Sequence, residues 1–235
     1  MRQNRLAARL AAGAVAASSG IGASASAAVF TYNPSLGTLP EAQGWAFSGS
    51  YNAPMSVAGG TLTYGPTTVS GTTYWEAEQP DALNFNTDSA SIEARIRLNG
   101  AGFGNFSGFR RGGFSLYLVD DVGRWIIAEL GDNTISLGND NNRTSDPSAA
   151  FDLTDDFHTV RLEAGPSGGR LFVDGTLMLS LGLGSGAAAG AAGFWGEATV
   201  LTRAIQTEVQ SVIYIPAPGA AGLLLASAIG IRRRN

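Results

Sequence analysis

Through the body of the chain, apolar and polar residues alternate with a period of two in short runs bounded by glycine, proline, aspartate and asparagine. The clearest run covers residues 91–98, where Ile92, Ala94, Ile96 and Leu98 share one phase and Glu93, Arg95 and Arg97 the other. Successive side chains of a strand point to opposite faces, so this run predicts a strand with one buried and one solvated face. Residues 113–120 repeat the pattern, setting Phe114, Leu116 and Leu118 against Ser115, Tyr117 and Val119. Shorter runs of the same kind lie at 45–51, 61–64, 72–77, 124–130 and 134–137. Others follow at 157–164, 170–173, 176–180, 193–195 and 208–214. The dipeptide Asp174-Gly175 separates two of them, and since both positions tolerate positive φ it predicts a tight hairpin. No amphipathic helix of three turns interrupts the series, and the alanine-rich stretch 184–192 is broken by Gly186 and Gly190 and reads as a loop. The pattern predicts an all-β fold: an antiparallel β-sandwich or jelly roll.

The two ends follow a different rule. Arg2, Arg5 and Arg9 precede a small apolar stretch at 10–21, then Ala23-Ser24-Ala25 and Ala25-Ser26-Ala27. A positive leader, a short apolar helix and a small-x-small exit make a secretory signal peptide, placed at residues 1–27 for removal by signal peptidase. At the other end, Pro216-Ala217-Pro218 leads into an apolar stretch at 220–231 and then Arg232-Arg233-Arg234. That stretch is shorter than the ~20 residues of an ordinary spanning helix. The arginines hold their end in the cytoplasm, so the rest of the chain is expected outside. Residues 28–214 are left as the sandwich domain and 215–235 as a tail.

Composition narrows the function. The net charge of -4 and a charged fraction of 14% leave no basic face with which to displace counterions from nucleic acid. There is no cysteine, which excludes disulfides, thiolate nucleophiles and cysteine-ligated metals. All 15 cationic side chains are arginine.

Two resemblances add to this reading. A proline-rich tripeptide, a short apolar helix and a terminal arginine cluster resemble the PEP-CTERM sorting signal read by exosortases. That motif has glutamate between its prolines, where this chain has Ala217. The resemblance implies transient anchoring in the inner membrane, cleavage by an exosortase-like enzyme, and display at the cell surface or in an extracellular polysaccharide matrix. Within the body, Phe157-His158-Thr159-Val160-Arg161-Leu162 followed by Val173-Asp174-Gly175, then Gly193-Phe194-Trp195-Gly196, resembles the concanavalin A-like and laminin-G-like jelly rolls. Folds of that kind carry lectins, glycanases and inert modules alike.

The candidate chemistry is thin. Glycan hydrolysis needs two carboxylates flanking the scissile bond. Glu76 and Glu78 share one face of their strand, but the Glu-x-Asp-x-Glu signature of the glucanase branch is absent. His158 is the sole histidine and has the phase of Val160 and Leu162, which makes it a structural residue and leaves no Ser-His-Asp or zinc set to assemble. Asp120, Asp121, Asp132 and Asp140 offer hard oxygen ligands for calcium, although Asx residues also populate turns for their own capping. Trp75, Tyr117 and Trp125 are candidate platforms for sugar rings, although tryptophan in a sandwich usually fills the core. The expected function is a non-catalytic, exported surface or extracellular-matrix protein that binds glycan or packs among exopolysaccharide; a glycanase or polysaccharide lyase, and a purely structural module, are the alternatives.

Overall fold

The computed structural model of the chain describes residues 29–49, 54–67, 71–77, 83–99, 104–106, 109–111, 113–139, 146–184, 192–198 and 205–216. Within them the alternating runs become strands. In chain order these are β1 (Phe30–Tyr32), β2 (Trp45–Gly49), β3 (Met55–Ala58), β4 (Thr61–Thr67), β5 (Gly71–Ala77) and β6 (Ala90–Asn99). Next come β7 (Gly104–Phe106), β8 (Phe109–Arg111), β9 (Phe114–Val119), β10 (Trp125–Leu130), β11 (Thr134–Gly138) and β12 (Ser148–Ala150). The last are β13 (His158–Gly165), β14 (Gly168–Val173), β15 (Thr176–Leu181), β16 (Ala192–Ala198) and β17 (Ile205–Ile215).

They form two sheets packed face to face, with every pairing antiparallel. One sheet runs β15-β14-β13-β6-β17-β4-β3, and β1 pairs with the far half of the long β17. The other runs β12-β11-β10-β9-β16-β5-β2, and β7 with β8 makes a separate hairpin. The inner faces supply one core. Ile92, Ala94, Ile96 and Leu98 of β6 are wholly buried, as the alternation predicts, while Arg95 is exposed and Glu93 and Arg97 half-buried. Opposite them, Phe114, Leu116, Leu118, Ile126, Ala128 and Leu130 line the second sheet's inner face. Gly169 of β14 lets the sheets meet closely, since a Cβ there would come within 2.5 Å of Ile126 Cγ2.

The 173–176 hairpin forms as predicted, with Asp174 at φ 49° and Gly175 at φ 78°. β17 departs from strict alternation. Its register slips between Val209 and Ser211, a bulge that lets Val209, Val212 and Tyr214 all face the core. The short strands β1, β3, β7, β8 and β12 have no counterpart in the sequence pattern. The helices expected at the two ends, with the expected signal peptide and most of the expected sorting tail, lie outside the described residues. No helix among the described residues is long and apolar enough to cross a membrane.

Candidate functional site

The outer face of the seven-stranded sheet carries the chemistry. Register places Glu76 of β5, Gly193 of β16, Tyr117 of β9, Ile127 of β10 and Gly138 of β11 in one row. Glu76 and Tyr117 are therefore two strand spacings apart, roughly 9–10 Å at the backbone. The Tyr117 hydroxyl nonetheless donates to Glu76 Oε1 at 2.8 Å. The residue between them is glycine, with no side chain to stand in the way. The neighbouring row holds Ser115, Glu129 and Ser136, paired in register across β9, β10 and β11.

Burial on this face is unusual for a sandwich exterior. Tyr117 is 4% exposed, Glu129 2% and Ser115 not at all. Tyr117, Val119 and Ile127 form a second apolar cluster, separate from the core, with Trp125 packed partly buried against it. The backbone of β8 lies against β10. The solvent-accessible part of the face therefore reaches Glu76 and Trp125, which are half-buried, at its two sides. A carboxylate holding a phenol beside an indole offers a sugar a charged acceptor and an apolar ring face.

No protein-family model matches the chain, and no curated protein does. Solved structures do. A native glycosidic hydrolase aligns at TM-score 0.53 and 15% identity, covering 79% of this chain and 94% of its own. A prokaryotic β-1,3-1,4-glucanase (lichenase) from a mouse hindgut metagenome aligns at TM-score 0.50 and 13% identity, covering 80% and 99%. The fold is the concanavalin A-like β-sandwich expected from the sequence. The carbohydrate recognition domain of Emp47p is also similar, at TM-score 0.46 and 15% identity, over 74% of this chain and 89% of that one.

This concanavalin A-like sandwich redistributes the residues that the sequence singles out. Tyr117 and Trp125 are brought together on one outer face. Trp75 is not with them. It is 1% exposed and packs in the core against Phe47, with ring centroids 6.3 Å apart. Its phase requires this, because Glu76 points outward and its neighbour along a strand must point inward. Glu78 and Asp140 lie outside the described residues, as do Ala217, Pro218 and Arg232 to Arg234; Pro216 is the last residue described and is half-buried.

The aspartates proposed for calcium do not converge. Asp120 and Asp121 sit in the β9–β10 turn and Asp132 in the β10–β11 turn, at opposite ends of β10. Six residues of strand separate them by roughly 20 Å. Asp120 is fully buried and given over to Arg124, whose amide donates to Oδ1 at 2.8 Å and whose Nε donates to Oδ2 at 2.8 Å. Asp121 is exposed, and Asp132 Oδ1 accepts from the Asn133 amide at 3.0 Å. Among the described residues no three acidic or histidine side chains gather as a metal would need. His158 stands on the other sheet, hydrogen-bonded and half-buried, in the structural role its phase implies.

Sequence reasoning misses Glu129, Ser115, Ser136 and Gly193 as members of the face. A signal was available for the first two. The runs 114–119 and 125–130 are apolar in both phases, the mark of strands covered on both sides.

Proposed function

We propose that the chain is an exported, non-catalytic glycan-binding protein, and that Glu76 and Trp125, the half-buried edges of the outer face whose buried Tyr117 anchors Glu76, contact the sugar. The observation that carries this reading is the Tyr117–Glu76 hydrogen bond across Gly193, beside a half-buried tryptophan. Support for glycan as the ligand class comes from the fold, because the hydrolase and the lichenase that share it both act on glycans.

Among the described residues, the carboxylates of this face favour binding over hydrolysis. A hydrolase needs two carboxyl groups about 5–10 Å apart, both reaching the bond. Glu76 and Glu129 stand three strand spacings and one register row apart, and Glu129 is 2% exposed. On this reading the ends deliver the protein to its ligand. Residues 1–27 direct export, and the tail from Pro216 to the arginine triplet is processed by an exosortase-like enzyme, leaving the domain in extracellular polysaccharide.

The test is a polysaccharide array probed with the wild-type chain and with Glu76→Gln, Tyr117→Phe and Trp125→Ala, with and without chelator. The same glycans are assayed for newly released reducing ends. Binding that weakens in all three variants, without product, supports the proposal. Product from the wild type that Glu76→Gln abolishes would replace it with the glycanase reading. Chelator-sensitive binding would return calcium to the account, and failure to bind any glycan would leave a structural surface module. The sorting claim has its own readout: Arg232→Ala, Arg233→Ala and Arg234→Ala combined should leave the tail uncleaved by mass spectrometry in a host carrying an exosortase.

A further inference from the structure

His158 opens β13, where the chain crosses from the seven-stranded sheet back to the eight-stranded one through residues 151–157. Its two ring nitrogens face two carboxylates. Nδ1 lies 2.7 Å from Asp174 Oδ2, in the β14–β15 turn, and Nε2 lies 2.8 Å from Asp155 Oδ1, in the crossover. Asp174 is fixed independently: its Oδ1 accepts from the Thr159 amide at 2.9 Å, and its own amide donates to the Thr159 carbonyl at 2.9 Å. The edge of the Phe151 ring closes the remaining side, 5.0 Å from the imidazole at 90°.

Hydrogen-bond chemistry fixes the protonation this geometry needs. A neutral imidazole has one N–H, and an ionised carboxylate can only accept. With a neutral ring, one of the two contacts would set a nitrogen lone pair against carboxylate oxygen at under 3 Å. Asp155 and Asp174 keep 66% and 50% of their side chains in solvent, where carboxylates ionise at neutral pH. Both contacts are satisfied together only when both nitrogens donate, that is, by an imidazolium.

We propose that Asp155–His158–Asp174 is a pH-operated clamp, in which the protonated ring ties the crossover to the β14–β15 hairpin and its deprotonation releases the crossover. The bond that opens is the one to Asp155. A neutral ring keeps its single proton on Nδ1, facing the better-anchored Asp174, and Nε2 then repels Asp155. The released segment matters to the sandwich because Leu153 within it joins both sheets: its amide donates to Asp132 O at 2.9 Å, and its carbonyl accepts from Leu98 N at 2.9 Å. Phe157, at the other end, lies beneath the Arg97 guanidinium at 4.9 Å.

The charged groups around the ring agree on direction. Burial lowers the His158 pKa, but the bonds to Asp174 and Asp155 and their charges outweigh it, raising it above 6.5. The His158 bond lowers Asp155 below 3.8. For Asp174 burial acts upward, but His158, the Thr159 amide and the charge of Arg95 on β6 hold it below 3.8 as well. A raised histidine stabilises the fold fully below its unfolded pKa and loses that as pH climbs through the folded one. The lowered carboxylates stabilise above their unfolded value and lose that as pH falls. The clamp is thus fully closed between about pH 4 and 6.5 and opens above that window.

With one histidine in the chain, the imidazole nitrogens in an NMR titration of the full chain belong to His158. The expected midpoint lies above 6.5, with the Nδ1–H tautomer on the alkaline side. Amide protection at residues 154–157, corrected for intrinsic exchange, should fall across the same transition. Asp155→Asn, which keeps the side chain's shape at an exposed position, should lower the midpoint by about one unit. It should also make protection at 154–157 insensitive to pH, because an asparagine can accept from Nε2–H or donate its amide to a neutral Nε2. In the wild type, a midpoint at or below 6.5, an Nε2–H tautomer in base, or protection at 154–157 that ignores the titration would each overturn the proposal.

Discussion

Replacing Asp120 with asparagine asks whether this buried carboxylate serves an arginine or a metal. Both of its oxygens are taken by Arg124, which also donates to Asn86 Oδ1 at 2.9 Å. The same two residues close the β9–β10 turn, through Asp120 N–H to Arg124 O at 2.9 Å and Gly123 N–H to Asp120 O at 3.0 Å. Asparagine keeps the shape but leaves the guanidinium without its counter-charge. Breaking a buried pair from one side costs about 3–5 kcal/mol. The Arg124 side chain retains 13% exposure, so water recovers part of the loss and about 2–3 kcal/mol is expected. At roughly 2–4 °C per kcal/mol for a domain of this size, Tm should fall by roughly 4–12 °C. Thermal unfolding by circular dichroism would compare wild type, Asp120→Asn, Arg124→Gln and the double variant, each with and without chelator. The single variants should lose similar amounts and the double little more than either, because each removes the same interaction. Chelator should change none of them. A chelator-induced drop in wild-type Tm that vanishes in Asp120→Asn would refute the reasoning and make Asp120 a metal ligand.

The other expectations concern packing, turn geometry and buried phenols. Gly169→Ala drives a methyl to 2.5 Å from Ile126 Cγ2 and should cost about 1–3 kcal/mol in urea unfolding, with Ile126→Ala in the same chain recovering part of it. Gly175→Ala puts a side chain at φ 78° in open space, so about 1–2 kcal/mol of backbone strain should appear as a lower urea midpoint with an unchanged slope. Among the described residues the buried Tyr214 hydroxyl has no hydrogen-bond partner, so Tyr214→Phe should leave stability unchanged or raise it by about 1 kcal/mol. Burial pushes both Tyr214 and Tyr32 well above the ordinary tyrosine pKa of 10, and the Glu41 charge adds to the shift at Tyr32. An acid kept neutral in the fold stabilises it fully below its unfolded pKa, so stability should fall as pH rises past about 10. Ultraviolet titration should show these two phenols ionising only as the chain unfolds.

The sandwich was legible wherever a strand has one wet face. Ile92 to Leu98 fall on one phase and Glu93 to Arg97 on the other because the outer face of the eight-stranded sheet meets water, with Arg97 paired to Glu208 at 2.6 Å and Arg170 to Glu163 at 2.7 Å. The rule fails where that condition fails. Ser115 and Tyr117 hold the polar phase of β9 yet are buried, because the outer face of their sheet is covered. The strands that went unread are mostly three residues long, too short to show a period; β3, β7, β8 and β12 pair with their neighbours in the chain, and β1 with a distant partner. Phe30–Tyr32 is a strand because Val212, Ile213 and Tyr214 lie opposite it, about 180 residues later, and nothing local to Phe-Thr-Tyr requires that.

The candidate site divides along the same line. Glu76 and Tyr117 were each readable as outward-facing, from phase alone. Their meeting was not, since it depends on β16 entering between β5 and β9 and on Gly193 arriving at the register position between them. A one-residue slip of β16 would bring Ala192 or Phe194 into that row, and the Phe194 side chain would stand where the hydroxyl now reaches the carboxylate. The hydrogen bond is thus a property of the pairing and not of either strand. That dependence separates the two ways of disturbing the face. Tyr117→Phe removes the bond and leaves the row open, whereas Gly193→Val keeps both partners and places β-branched bulk between them. If sugar binding needs only an unobstructed row between Glu76 and Trp125, the first substitution is tolerated and the second is not. If it needs the charged acceptor held in place, both abolish it.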